Sequence, residues 1–368
     1  MYRLNTVKKI RSTRKTYLII GPQMRVRTRE FFLILLIGTS CWTPYLNLSA
    51  SSFGSLNQGI GMHASALGMD YTYPLSVGTE TMFSAPSPFV VAADSLNRTR
   101  LIGLLSLAGG LYGGMWATFG YAWYKGQEFT FYTFENDFGG YLQMDKLGHM
   151  LYTWSYTHVG YHGLRFAGAS KKSSLLYSGL SAFALVSAIE ITDGLVEKWG
   201  FSWPDLIANG LGSALFLGQT WYLDERPLKL KFSLWPSHEA TVSGGLFGTS
   251  PMDRIISDYN GKTFWASLQA NKIISSDFLA PWIDISVGYS IDNVYGEYEN
   301  HEYFNGLRLP DAPRTRRYLL SLDVDWAQIP VENSFLRGLF QAMFFVKLPF
   351  PALEINSEGN FRGYWLYF

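Results

Sequence analysis

After Pro227 the hydrophobic period of this chain changes from helical to two, and that switch restricts the fold more than any other feature. Ile283, Ile285, Val287, Tyr289 and Ile291 alternate with Asp284, Ser286, Gly288, Ser290 and Asp292. Tyr318, Leu320, Leu322, Val324 and Trp326 alternate with Ser321, Asp323 and Asp325, and Phe340, Ala342, Phe344, Val346 and Leu348 make a third row. Weaker strands are expected near 229–235, 240–247, 263–272 and 361–368. One apolar and one polar face, at lengths near ten, suits transmembrane β-strands. It equally suits an antiparallel sheet with one solvated face. The aromatic terminus Tyr364–Phe368 resembles the last strand of outer-membrane barrels. About seven strands are legible, and an even number would require one from 70–92.

Before Pro227 the pattern is helical. Residues 101–124 carry no charge and form a first expected helix. A second is expected over 145–166, a third over 175–199 stopped by Gly200, and a fourth from Ser202 to about Trp221. Ser202 is placed as N-cap, with Pro204 in the first turn and Asp205 three residues after the cap. The short connections favour antiparallel neighbours. Charged residues make up 16% of the chain, against about 25% in ordinary soluble domains. Aromatic residues reach 17%. Both values fit contact with a lipid bilayer. Lys plus Arg nearly balances Asp plus Glu, 30 against 29, so nothing draws the chain to nucleic acid.

Residues 1–50 read as a secretory signal: Arg25, Arg27 and Arg29, then the apolar run from Phe31, then small residues at Leu48–Ala50, with Met24 an alternative start. Cys41 is the single cysteine, which excludes an internal disulfide and a cysteine metal cluster. Gly38–Ser40 lacks the leucine expected before a lipidated cysteine. Residues 51–96 read as a loop-rich exported segment, 97–225 as a helical domain and 226–368 as an antiparallel β-sheet or β-barrel. The expected class is α+β and membrane-associated: an apolar four-helix unit followed by a barrel-like β-domain. The expected location is the bacterial envelope, with the terminal strand favouring the outer membrane.

Polar residues interrupt the apolar helices at three places. These are Asp145, Lys146 and His149; Glu190 and Asp193; and Ser202, Asp205 and Asn209. Charges within apolar helices are costly unless paired or functional. In an up-and-down bundle all three places fall at one end, and spacings of three and four put each set on one helix face. Asp145, His149, Glu190, Asp193 and Asp205 are therefore candidates for catalysis, and Lys146, Ser202 and Asn209 for ligand binding. A structural polar network, a ligand-binding or hydrolytic site, and a metal site all fit these residue types. The cofactor is left open. His158 and His162, four apart without an acidic partner, read as interfacial.

The Asp-Lys-x-x-His, Glu-x-x-Asp and Ser-x-x-Asp pieces, in this order on consecutive apolar helices, resemble the YfiM-like family of bacterial envelope (lipo)proteins. They resemble VanZ-like membrane proteins more distantly. The resemblance covers about 94–222 and implies an envelope location, while the family carries no settled activity. Two functions stay open: a structural or ligand-binding envelope protein, and a membrane-associated hydrolase of a lipid or cell-wall intermediate, with or without a metal.

Overall fold

The computed structural model describes residues 95–120, 124, 126–134, 137–197, 200–223, 226–274 and 279–368. The signal, Cys41, nearly all of the exported segment and the 70–92 region lie outside them. The fold is α+β, with helices first and an antiparallel sheet after.

Helix α1 (Arg98–Met115) starts at Asn97, whose side chain accepts from Arg100 N–H, and runs into a π-helical turn, Trp116–Gly120. A 3₁₀ segment (Asp137–Gln143) leads into α2 (Met144–Phe166). Helix α3 spans Lys171–Asp193 and α4 spans Trp203–Tyr222. Helices α2, α3 and α4 pack on one another. Gly212 on α4 lets α2 come close, since a Cβ there would stand 2.2 Å from the Met150 carbonyl oxygen. Helix α1 lies at the margin with no buried residue. It is held by Tyr112 Oη donating to the Leu185 carbonyl (2.8 Å) and Asn97 N–H donating to the Ala167 carbonyl (2.8 Å). The packed unit is thus three helices with a fourth laid against it.

The third helix ends earlier than the Gly200 stop implied. Its C-cap is Gly194. The following chain is drawn into bridges with the preceding loop, Phe129 with Val196 and Thr133 with Phe201. Gly200 adopts a left-handed φ of +67° within that bridged segment.

The sheet contains β1 (Leu228–Leu234), β2 (Lys262–Gln269), β3 (Ile283–Asp292), β6 (Thr315–Val324), β7 (Phe350–Asn356) and β8 (Phe361–Tyr367), in that spatial order and antiparallel throughout. A two-stranded hairpin, β4 (Tyr303–Phe304) and β5 (Leu307–Arg308), sits in the long β3–β6 connection. Two expected strands are absent. At 240–247 Ser237 caps a short helix, α5 (His238–Val242). The left-handed glycines 244, 245 and 248 then break extension. At 340–348, Asn333 accepts from Phe335 and Leu336 N–H and starts a helix, Ser334–Ala342. After it only Val346 bridges to Phe232.

The sheet curls until β8 meets β1 and β2: Tyr367 Oη lies 3.0 Å from Thr263 Oγ1, and the Phe368 ring packs on Trp235. No ladder joins β1 to β8, so the expected closed barrel does not form among the described residues. The β1 edge is bonded instead by backbone groups of Phe345 and Lys347.

The two faces of the sheet differ sharply. The outer face of β1–β3 packs on the helices through Leu230 and Phe264, which join Met144, Leu151, Trp154 and Phe216 in one core. Full burial of side chains such as Leu151 and Phe216 contributes about 1.5–3 kcal/mol each. His158 stacks on Phe344 at this junction, with ring centroids 4.1 Å apart. Over β6–β8 the same outer face is bare: Leu320, Leu322, Leu353, Ile355 and Trp365 are all exposed. The inner face is charged. Lys229 pairs with Asp284 and Asp325, Lys231 with Asp323, and Arg317 with Glu354.

A candidate polar site at one end of the helices

The start of α2, the end of α3 and the start of α4 meet as helix alternation predicts. Asp145 lies in the first turn of α2 and His149 one turn later. Glu190 and Asp193 close α3, Ser202 caps α4, and Asp205 and Asn209 occupy its first two turns.

Lys146 is the hub. Its buried ammonium contacts Asp137, lies 3.2 Å from Asp145 Oδ2 and 3.1 Å from Asp205 Oδ1. Ser202 Oγ accepts from Asp205 N–H and donates to Asp137. Asp205, three residues after the cap, sits where a capping-box partner would, but its carboxylate turns to Lys146. Asp205 Oδ1 is buried and accepts no hydrogen bond, because the 3.1 Å approach of Lys146 falls outside hydrogen-bonding geometry.

His149 is the second centre. Asn209 turns Oδ1 toward Nδ1 at 3.1 Å. An amide oxygen only accepts, so Nδ1 donates to it, and Nε2 is the ring atom turned toward the carboxyl groups. Nε2 lies 3.3 Å from Glu190 Oε1 and 3.9 Å from Asp145 Oδ1. Asp193 stands apart and accepts from Tyr124 Oη at 2.5 Å.

Three further contributors carry no motif that marks them. Tyr259, from the segment before β2, donates to Asp145 Oδ1 at 3.0 Å. Tyr298, from the long β3–β6 connection, donates to Asp137 Oδ1 at 2.7 Å. Asp137 itself lies in a loop legible only as aromatic and acidic. Burial opposes its ionisation, but the Lys146 ammonium and the Ser202 and Tyr298 hydroxyls outweigh that and hold its carboxyl below the ordinary value. Burial, then the bond to Asp137, pushes the Tyr298 hydroxyl up, so it remains a donor.

The chain reaches this corner through an unusual path. Tyr141, Leu142 and Gln143 have φ of 44°, 52° and 72°. Such left-handed non-glycine residues cost about 1–3 kcal/mol each. They are held by Tyr141 N–H to the Glu297 carbonyl (2.8 Å), Tyr289 Oη to the Leu142 carbonyl, and Arg316 to Gln143 Oε1 (3.1 Å). The sheet and its long connection therefore fix the corner from which Asp137 reaches Lys146.

One ligand atom each from Asp145, His149 and Asp205 lies within 4.8 Å of the others. The arrangement can hold a cation, or pass protons between Glu190 and His149.

No curated protein and no solved structure matches the chain. Residues 134–218, from the loop carrying Asp137 through most of α4, match the model of a family described as a predicted periplasmic lipoprotein, DUF2279, which supports an exported envelope protein of unknown activity.

Proposed function

We propose that this chain is a membrane-embedded envelope protein that presents a buried ligand-binding site at one face of the bilayer. The observation that supports this most is the inverted polarity of the β-domain. Three ion-paired cations and their carboxylates lie inside the sheet beside Trp265, Leu319 and Tyr367, while leucine, isoleucine and tryptophan cover the outside of β6–β8. A sheet facing water is built the other way. A sheet facing lipid is built this way.

The helices agree. Leu147–Leu164 on α2 carries no Asp, Glu, Lys or Arg, nor does Ser173–Ile189 on α3 or Leu206–Tyr222 on α4. Eighteen such residues on α2 span about 27 Å, close to the hydrocarbon thickness of about 30 Å. Helices α1 and α3 are long and apolar enough to cross a membrane. Cations gather at one end of the unit (Arg98, Arg100, Arg165, Lys171, Lys172) and carboxylates at the other. The aromatic last strand favours the outer membrane.

Carbonate extraction of membranes from cells making the tagged chain, then density separation of inner and outer membranes, tests the reading. The protein stays in the pellet and follows the outer membrane. Release into the supernatant would overturn the embedding.

The 3.3 Å approach of Glu190 to His149 favours a second reading, a hydrolase acting on a lipid or cell-wall intermediate with these two groups exchanging a proton. Release of product from such substrates by the purified protein, lost in Glu190→Gln, supports it. Equal release by that variant removes it.

A further inference from the structure

We infer that Asp145, His149 and Asp205 form a binding site for one divalent transition-metal ion, with Glu190 beside it and Asn209 orienting the imidazole. This deepens the ligand-site reading above and does not depend on the bilayer placement.

Three observations point to a cation. First, Asn209 holds Nδ1 and leaves His149 Nε2 facing the carboxyl groups, 3.3 Å from Glu190 Oε1 and 3.9 Å from Asp145 Oδ1. Second, Asp205 Oδ1 is buried within the cluster with no hydrogen bond and only the 3.1 Å ion-pair approach of Lys146. Buried carboxylate oxygens are ordinarily satisfied. Third, Asp137, Asp145 and Asp205 share the ammonium of Lys146, and Glu190 lies beside His149. Carboxyl groups outnumber the ammonium three to one there, and oxygen donors in excess of their cations suit a metal ion.

The donor set names the class of ion. Two carboxylates and one imidazole suit Mn²⁺, Fe²⁺ or Zn²⁺ over Ca²⁺, which prefers six to eight oxygens. Bonds of about 2.1 Å hold ligands no more than about 4.2 Å apart. Ligand atoms within 4.8 Å of one another therefore close by no more than about half an ångström on binding. The outer ring is in place. Asn209 fixes the imidazole, and Tyr259 holds the Asp145 carboxylate. Such groups hold a metal ligand in orientation. The Asp145 side chain keeps 28% of its surface exposed, which gives the ion a way in.

The test uses the full chain in detergent micelles, stripped with chelator and titrated with Mn²⁺. Binding is followed by loss of the free-ion electron paramagnetic resonance signal. One ion binds per chain, and pulsed resonance detects a coordinated imidazole nitrogen. His149→Ala and Asp205→Asn abolish binding, and Asn209→Leu weakens it about 10–100-fold. No saturable binding, or bound Mn²⁺ without nitrogen coupling, overturns the site even if every variant misfolds, because both readouts come from the unaltered chain. Binding by a chain that carbonate releases from membranes would retain the metal site and reject the embedding. Absence of binding in an embedded chain would do the reverse.

Discussion

Lys231 on β1 and Asp323 on β6 pair at 2.9 Å inside the curled sheet, with side chains 1% and 0% exposed. The strands they join are not neighbours in the ladder, so this pair bridges the interior. Lys231 also donates to the Val324 carbonyl at 2.6 Å. Leu322, next to Asp323, points the other way and is half exposed.

The two positions respond differently to substitution. Lys231→Met leaves a buried carboxylate unpaired and costs about 3–5 kcal/mol, read as a lower midpoint in thermal or urea unfolding in micelles. Leu322→Ser costs within about 0.5 kcal/mol in the same assay. It nevertheless lowers the fraction of protein recovered in the membrane. If Leu322→Ser leaves membrane recovery unchanged while Lys231→Met is silent, the sheet is not inverted in the manner described.

Asp137 makes the helix corner sensitive to acid. Its carboxyl is held below the ordinary value of 3.8 against the cost of burial. A carboxylate depressed on folding stabilises the fold fully above its unfolded pKa, and that contribution disappears as pH falls through the folded value. Stability therefore declines below about pH 4. Asp137→Asn loses part of the neutral-pH stability and flattens the decline, measured as unfolding midpoint against pH from 7 to 2. An unchanged slope in the variant would assign the acid sensitivity to other groups.

Much of this was legible in the sequence because helix direction alone fixes which ends meet. The period of 3.6 put Asp145 with His149, and Asp205 with Asn209, on common faces. Alternation of α2, α3 and α4 brought Glu190 beside them. Strand β3 was read at its observed bounds because its apolar and polar residues alternate without interruption. The failures have local causes. The row Phe340–Leu348 looked like a strand, yet Asn333 supplies a cap that makes its first part helical. Strand β7 carries no clean strand signal because Pro351 is its second residue and a charged residue, Glu354, turns inward. Tyr259 and Tyr298 lie far from the helical motifs in sequence and Asp137 in the irregular loop just before them, and no periodicity connects a loop to a site it reaches through tertiary folding.

Ser202 joins two functions in one hydroxyl, accepting from Asp205 N–H at 3.2 Å and donating to Asp137. Ser202→Ala removes both and costs about 0.5–2 kcal/mol, the range for a lost N-cap. Ser202→Thr keeps both and recovers most of the loss. Chemical denaturation of the three proteins checks the order. Equal stability of the alanine variant would show that the first turn of α4 does not depend on this cap.

The spacing of α2 and α4 sets the reach from His149 to Asn209, and Gly212 sets that spacing. It lies less than one helical turn beyond Asn209, where a Cβ would stand 2.2 Å from the Met150 carbonyl oxygen and 3.0 Å from Trp154 N. Both are backbone atoms, so no side chain can swing aside. Gly212→Ala must push the helices apart, and overpacking of this kind costs about 1–3 kcal/mol. The gain in helix propensity, about 1 kcal/mol, offsets only part of it. The displacement also lengthens the 3.1 Å contact between Asn209 Oδ1 and His149 Nδ1 and frees the imidazole to turn. Gly212→Ala therefore lowers the melting temperature and weakens Mn²⁺ binding together, although residue 212 touches neither His149 nor the ion. Gly218, on the same helix with open space around its Cα, is the control: Gly218→Ala leaves binding unchanged and stability equal or higher. A tolerated alanine at 212 with unaltered binding would show that the helices can separate without moving the site.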